Sequence, residues 1–151
     1  MVYYMKMIIE VKSEQATKEL AQKIGATLQG GEVFQLVGDV GAGKTTFVKG
    51  LAAGLLVEDE VQSPSFTISR VYEARDELQL VHYDFYRLTD AGIMANELEE
   101  MVHDPKSVTV IEWADIVEGV LPEGHYTISF ESPSETTRNI TLPDDVGAKI
   151  S

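Results

Sequence analysis

The sequence contains no cysteine, and 12 lysines and arginines stand against 25 aspartates and glutamates. Disulfides and thiolate chemistry are therefore excluded, and a reducing compartment is the natural location. The formal net charge of −13 argues against direct binding of RNA or DNA, because a protein that holds nucleic acid by itself normally presents a basic face. The surplus of acid instead favours solubility or contact with a basic patch on a partner protein.

Long apolar runs are also missing. The first residues, "MVYYMKMIIEVK", include no stretch long enough for the core of a signal peptide, and no segment approaches the length of a membrane span. We therefore predict a cytoplasmic protein with no membrane association. The length of 151 residues, with 44% hydrophobic and 25% charged residues, predicts one globular domain over residues 1–151 that buries its own core.

The most informative segment that is present is "GDVGAGKT", Gly38 to Thr45. It fits the pattern G-x-x-x-x-G-K-[ST], in which backbone N–H groups hold the α- and β-phosphates of a nucleotide, the lysine reaches the β- and γ-phosphates, and the hydroxyl ligates Mg²⁺. An apolar run at 33–37 precedes it, and Phe47, Leu51 and Leu55 recur every four residues after it. This order of strand, loop and helix predicts a phosphate-binding loop.

The residues predicted to contact the nucleotide in this loop and in the first turn of the helix are Val40, Gly41, Ala42, Gly43, Lys44, Thr45 and Thr46. The ligand that this pattern predicts is a nucleoside triphosphate with Mg²⁺.

The remaining periodicity predicts an α/β fold with a mixed, partly antiparallel sheet flanked by helices. The predicted elements are a strand at Lys6–Val11, a helix capped by Ser13 and ended by Gly30-Gly31, a hairpin of Phe66–Glu73 with Leu78–Phe85, a helix in "ANELEEMV", a buried strand in "SVTVIEW", and a hairpin in "HYTISFESPSETTRNITL". The last eight residues are expected to fray.

Two acids are candidates for the chemistry at the phosphate end of this sheet. Glu112 follows a nearly unbroken apolar run, which predicts a carboxylate at the C-terminal end of a buried strand, where it can hold Mg²⁺ or orient the attacking water. Asp84 lies between aromatics in "VHYDFYRL" and is a second candidate, unless it only pairs with Arg87. Arg87 could stabilise charge on the transferred phosphoryl group or pack on the surface. His82 is interpreted as a sheet histidine without a role.

Further candidates are open to two interpretations each. Ser65 or Thr67, in or next to "SPSF", could order around the metal and the γ-phosphate, as in nucleotide switches, although Ser-Pro pairs also form ordinary turns. Trp113, the only tryptophan, could stack on a base or be a core or rim aromatic.

Four segments in this order, "GDVGAGKTTFVKGLAAGL", "VQSPSFTISRVYE", "HYDFYRL" and "IEWAD", resemble the bacterial TsaE (YjeE) family over essentially the whole chain. The resemblance implies a P-loop NTPase fold and hydrolysis of ATP. It also implies a complex with TsaB- and TsaD-like proteins that transfers threonylcarbamoyl to adenosine 37 of tRNA, so that tRNA is contacted only indirectly.

The resemblance also implies residue roles. Lys44 would hold the phosphates, Thr45 and Glu112 would bind Mg²⁺, and Asp84 would be the second acid needed for hydrolysis. Trp113 would lie near the nucleotide, and Ser13 to Thr17, including Glu14, would border the adenine. Three positions depart from the usual pattern of the family: Val40 for leucine, Ser65 for threonine and Ala114 for proline.

Other functional classes remain as alternatives. A GTPase would need the guanine-reading motif N-K-x-D, which is absent from the sequence. A small-molecule kinase would use Asp84 as the base for an acceptor hydroxyl, although 151 residues leave little room for lid segments. A nucleotide-gated binding module would use ATP to create a docking face, with little turnover.

Overall fold

Strands and helices alternate along the chain in the computed structural model, which describes residues 6–39, 41–62, 68–86, 88–90 and 92–150. The strands are β1 (Lys6–Val11), β2 (Val33–Val37), β3 (Ser69–Glu73), β4 (Gln79–Asp84), β5 (Ser107–Glu112), β6 (Tyr126–Glu131) and β7 (Arg138–Pro143). The α-helices are α1 (Glu14–Gly25), α2 (Lys44–Gly54), α3 (Ile93–Val102) and α4 (Asp144–Ala148), and a 3₁₀ segment (Ala114–Val120) follows β5.

All seven strands belong to one sheet, in the order β1-β7-β6-β2-β5-β4-β3. The central strand β2 is parallel to both β5 and β6, and β4 is parallel to β5. The outer pairs β1–β7, β6–β7 and β3–β4 are antiparallel. The predicted α/β fold with a mixed sheet is thus confirmed, and both predicted hairpins are present.

The two faces of the sheet are covered by different helices. Helices α1 and α2 bury one face, where Phe34 and Val110 meet Leu51 of α2. Helix α3 and the 3₁₀ segment cover the other face, where Tyr83 and Ile111 are buried. Strand β5 is buried along its whole length, as its apolar run predicts. No helix in the described part of the chain is long and apolar enough to cross a membrane.

Helices α1 and α2 are in close contact because glycines lie where they meet. An ideal Cβ on Gly50 would lie 2.5 Å from both the Ala21 Cβ and the Lys18 carbonyl oxygen. An ideal Cβ on Gly54 would lie 2.3 Å from the Gln22 carbonyl oxygen. The contacts advance in the same direction along both helices, so α1 and α2 run parallel and their N-termini lie at the same end.

The first helix ends earlier than predicted. The N-cap is Ser13, as expected, because its Oγ accepts a hydrogen bond from the Ala16 N–H at 3.0 Å. The helix stops at Gly25 rather than at Gly30-Gly31. A side chain 47 to 50 positions away caps this end, since the Arg75 guanidinium donates hydrogen bonds to the carbonyls of Gly25, Ala26 and Leu28. Long-range capping of this kind leaves no local signal.

The expectation that the last eight residues fray is wrong. Residues 144–148 form α4, and Val146 is buried in the same core as β1 and β7. The apolar side chain at this position has a surface to pack on, which composition alone does not reveal.

The first strand of the predicted central hairpin is expected to begin at Phe66. Residues 66 and 67 lie outside the described residues, and β3 begins at Ser69.

Substitution of Gly50 by alanine tests the helix contact. Alanine favours an isolated helix by about 1 kcal/mol, but here its Cβ would meet Ala21 and Lys18 at 2.5 Å. We expect the free energy of unfolding in urea to fall by about 1–3 kcal/mol. The matched control is Gly119→Ala, where nothing lies within 4 Å of the added Cβ, and we expect a change within about 0.5 kcal/mol. Equal stability of the two variants would contradict the packing described here.

Candidate active site

The predicted phosphate-binding segment forms a loop (residues 38–43, the glycine loop) between β2 and α2; Val40 lies outside the described residues. Gly41 has φ +83° and Gly43 has φ +103°, a region that side chains with a Cβ rarely adopt. No described residue other than the chain neighbours lies within 4 Å of where either Cβ would be, so these glycines serve the backbone conformation rather than packing. Helix α2 begins directly after Gly43, without a side-chain cap, so its first N–H groups are available to an anion.

Lys44, the first residue of α2, is buried and points into the loop region. Its Nζ donates a hydrogen bond to the Gly38 carbonyl at 2.7 Å and lies 4.0 Å from the centroid of the Trp113 ring. Burial lowers the pKa of Lys44. Three carboxylates oppose that shift, those of Glu112, Asp84 and Asp39. Among the described residues the ammonium group has no direct ion pair, and it lies between a carbonyl and an aromatic face.

Glu112 is at the C-terminal end of β5, where the sequence places it, and only 3% of it is exposed. Its Oε2 lies 2.6 Å from Nε2 of His82, a fully buried residue of β4. Glu112 is therefore not a solvent-exposed acid at the end of a strand. The sequence indicates no role for His82, because the two residues of this pair are 30 positions apart and meet only through strand pairing.

Asp84 ends β4 and lies directly opposite Glu112 in the parallel β4–β5 register. Its Oδ1 accepts a hydrogen bond from the Tyr86 N–H at 3.0 Å. The pKa of Asp84 is raised mainly by burial, and Glu112 raises it further. The Tyr86 N–H, His82 and Lys44 act in the opposite direction. Arg87, the alternative partner of Asp84, lies outside the described residues, as do Ser65 and Thr67.

Trp113 follows Glu112 in a left-handed backbone conformation, with φ 57° and ψ 53°. This region is unfavourable for a bulky residue, and such strain is retained where the surroundings enforce it. One enforcing contact is the ring of Tyr86, whose centroid is 4.8 Å from that of Trp113. This conformation turns the chain from β5 into the 3₁₀ segment, and the indole of Trp113 lies beside Lys44.

One cleft of about 750 Å³ collects most of the predicted site. The predicted residues that line it are Glu14, Gly41, Gly43, Lys44, Thr45, Thr46, Asp84, Glu112 and Trp113. Ala42 is buried instead, with 3% exposure. The cleft also includes residues that the sequence analysis did not single out, namely Lys12, Tyr86, Glu135, Thr136 and Arg138.

Arg138, at the start of β7, connects two walls of this cleft. Its guanidinium donates to the carbonyls of Ser134, Glu135 and Thr137 in the β6–β7 turn, and more weakly to the Gly41 carbonyl at 3.4 Å. An arginine 97 positions from the glycine loop carries no sequence signal for this contact. Together with Lys12 and Lys44 it places positive charge in a chain whose formal net charge is −13.

The sequence model of the family "Threonylcarbamoyl adenosine biosynthesis protein TsaE" matches residues 11–140. The chain belongs to the TsaE family. Two similar relatives are TsaE of Treponema pallidum, 40% identical over 132 residues (87% of this chain, 96% of the relative), and TsaE of Bacillus subtilis, 39% identical over 126 residues (83% and 78%).

The fold agrees with a solved structure as well. The crystal structure of Bacillus subtilis YdiB matches with a TM-score of 0.79 at 29% identity, covering 99% of this chain and 97% of that one. The resemblance to TsaE that the four sequence segments indicate is thus confirmed, whereas the roles of individual residues in this TsaE chain stay predictions.

An Asp84→Asn variant tests the electrostatics of the TsaE cleft. Because burial and Glu112 raise the pKa of Asp84 from 3.8, its ionisation costs stability as pH rises through that raised value. Asparagine removes this cost and keeps the acceptor for the Tyr86 N–H. We expect Tm at pH 7.5 to rise by roughly 1–2 °C, a small effect because solvent screens a partly buried group.

The pH dependence provides the control for Asp84→Asn. At pH values well below 3.8 the carboxyl is protonated in both the folded and the unfolded state, so we expect the Tm difference to shrink as the pH falls towards that range. A Tm gain that persists unchanged at pH 3.5, or a loss at pH 7.5, would contradict the assigned sign.

Proposed function

We propose that this chain is a Mg²⁺-dependent ATPase that acts with TsaB- and TsaD-like proteins in the threonylcarbamoylation of adenosine 37 of tRNA. The observation that carries the proposal is the meeting of Lys44 and Thr45 with Asp84 and Glu112 in one cleft. The pathway is supported by membership of the TsaE family and by relatives named tRNA threonylcarbamoyladenosine biosynthesis proteins.

The glycine loop and the start of α2 fit the phosphates of ATP. The open space beside Gly41 and Gly43 leaves room for an anion next to backbone N–H groups, and the helix N-terminus adds its positive dipole. Lys44 is close enough to exchange the Gly38 carbonyl for phosphate oxygens. Phosphate contact also favours the charged form of a lysine that burial otherwise disfavours.

The donor set also fits Mg²⁺. Among the residues that the structure describes, no group of three or more His, Cys, Asp or Glu side chains is placed to hold a metal by itself. Magnesium in nucleotide sites is held by one or two protein oxygens together with phosphates and water, and the Thr45 hydroxyl with the Glu112 carboxylate matches that requirement. When bound there, Mg²⁺ would neutralise charge on the phosphates.

Asp84 is the residue we assign to the attacking water. It lines the cleft beside Glu112, and its raised pKa makes it a stronger proton acceptor than an ordinary aspartate. The Tyr86 N–H fixes one carboxylate oxygen and leaves the other for the water. Glu112 and Asp84 then have separate roles, the first toward the metal and the second toward the nucleophile.

The partners and the location follow from the pathway and the charge. A formal net charge of −13 disfavours direct contact with tRNA, so we assign tRNA binding to the TsaB- and TsaD-like proteins of the complex. We propose the cytoplasm as the location, as the sequence predicts for a tRNA-modifying system.

Two variants test the ATPase, with a third as control. Lys44→Ala should weaken ATP binding by about 10- to 100-fold, because it removes a charged hydrogen-bond donor to phosphate. Glu112→Gln should still bind ATP, with a smaller gain in affinity from Mg²⁺, and should hydrolyse it about 100-fold more slowly. Lys49→Ala removes an exposed lysine from the same helix and should leave both quantities unchanged. Unchanged affinity in Lys44→Ala would refute the assignment of the loop.

Phosphate release should be measured with the chain alone and with TsaB- and TsaD-like proteins plus tRNA. We expect slow release alone and faster release in the full mixture. Loss of ATP without free phosphate, dependent on a small acceptor, would instead favour a kinase. Normal partner binding by Glu112→Gln with impaired release from the partners would favour the nucleotide-gated binding module.

A further inference from the structure

His82 and Glu112 form a buried hydrogen bond behind the wall of the cleft. His82 lies in β4, next to the edge strand β3, opposite Val110 of β5 and Arg70 of β3, and none of its surface is exposed. Its Nε2 is 2.6 Å from Glu112 Oε2. Within the described ranges this is the only hydrogen bond to the Glu112 carboxylate, and Glu112 itself lines the cleft.

The surroundings of the other ring nitrogen of His82, Nδ1, indicate which ring nitrogen carries the proton. Nδ1 is buried and has no hydrogen-bond partner among the described residues. A doubly protonated ring would leave an N–H without an acceptor there, which is costly in a buried position. The neutral ring with its proton on Nε2 avoids that cost and can donate that proton to Oε2 of Glu112. The second oxygen, Oε1, is then the one left for the cleft.

We propose that His82 is a positioning residue that fixes the Glu112 carboxylate, with Oε2 held inside the sheet and Oε1 directed to the metal of a metal–nucleotide complex. His82 is too deeply buried to contact the nucleotide itself. This inference rests on the proposed function, in which Mg²⁺ increases the affinity for the nucleotide. It assigns part of that increase to His82. Hydrogen bonds to metal-ligating carboxylates typically change metal affinity by 10- to 100-fold.

A purely structural role predicts a different result. A buried polar pair gives little net stability compared with apolar residues of similar size. If His82 served only the fold, its replacement would reduce folding stability, or it would change the nucleotide affinity by the same factor with and without the metal. If it positions Glu112, the part of the affinity that depends on the metal changes selectively.

The test compares His82→Leu, which removes the donor, with His82→Gln, whose amide keeps one. The affinity for a non-hydrolysable ATP analogue is measured by calorimetry in EDTA and at saturating Mg²⁺. The affinity in Mg²⁺ divided by the affinity in EDTA is the metal-dependent gain. We expect His82→Leu to reduce this gain about 10-fold while the affinity in EDTA stays within about 2-fold. His82→Gln should retain most of the gain. Mn²⁺ binding to the nucleotide complex, followed by electron paramagnetic resonance, provides a readout of the metal itself.

The matched control is Thr109→Val. Thr109 lies in the same buried strand as Glu112, and its hydroxyl has no partner within the described residues, so valine should leave the metal-dependent gain unchanged. In a Glu112→Gln background, His82→Leu should cause no further loss, because the two residues act as one unit. Where His82→Leu does not fold, His82→Asn, whose amide is shorter than the imidazole, is measured in the same way.

The outcomes separate this inference from the proposed function. Absence of nucleotide binding by the unmodified protein would contradict the proposed function itself. Normal nucleotide binding with an undiminished metal-dependent gain in His82→Leu would overturn only the role of His82. Equal losses in EDTA and in Mg²⁺, with Thr109→Val normal, would also overturn it in favour of a structural role.

Discussion

The parallel pairing of β5 with both β2 and β4 determines the geometry of the cleft. Glu112 is level with Leu36 of β2 on one side and with Asp84 of β4 on the other. Because parallel strands end at the same edge, the two acids and the glycine loop that follows β2 meet there. An antiparallel β5 would carry Glu112 to the opposite edge, and no local adjustment of side chains would restore the site.

Strand pairing also creates an electrostatic requirement. Glu112 and Asp84 are adjacent, and the ammonium of Lys44 lies between a carbonyl and an indole rather than in an ion pair with either acid. A polyanion that takes Lys44 away from this region would face two carboxylates with little compensation. Under the proposed function, a divalent cation that enters with the phosphates would remove this conflict. The same arrangement would then bind a bare triphosphate more weakly than its metal complex, provided that one carboxylate oxygen is correctly directed.

Sequence patterns, together with the resemblance to TsaE, could predict most of the fold and about two thirds of the residues that line the cleft. The glycine loop, the apolar strand before Glu112 and the two hairpins depend on local periodicity, which the sequence displays directly. His82 and Arg138 could not be predicted, because their contacts join residues 30 and 97 positions apart. The early end of α1 has the same origin, since its carbonyls are capped by Arg75 from a distant turn. The features that could not be predicted from the sequence are thus polar contacts between remote segments.

The glycine contacts between α1 and α2 connect packing to the site. Gly50 and Gly54 allow the two helices to approach until backbone meets backbone, which leaves almost no freedom for sliding or separation. Since the helices run parallel, their N-termini lie at the cleft, where α1 contributes Glu14 and α2 contributes Lys44. The separation between the predicted adenine-bordering segment and the predicted phosphate-binding loop is consequently determined by the helix contact, which begins at Lys18 of α1 and Gly50 of α2. A larger side chain in the helix contact would change that separation without touching any residue of the cleft.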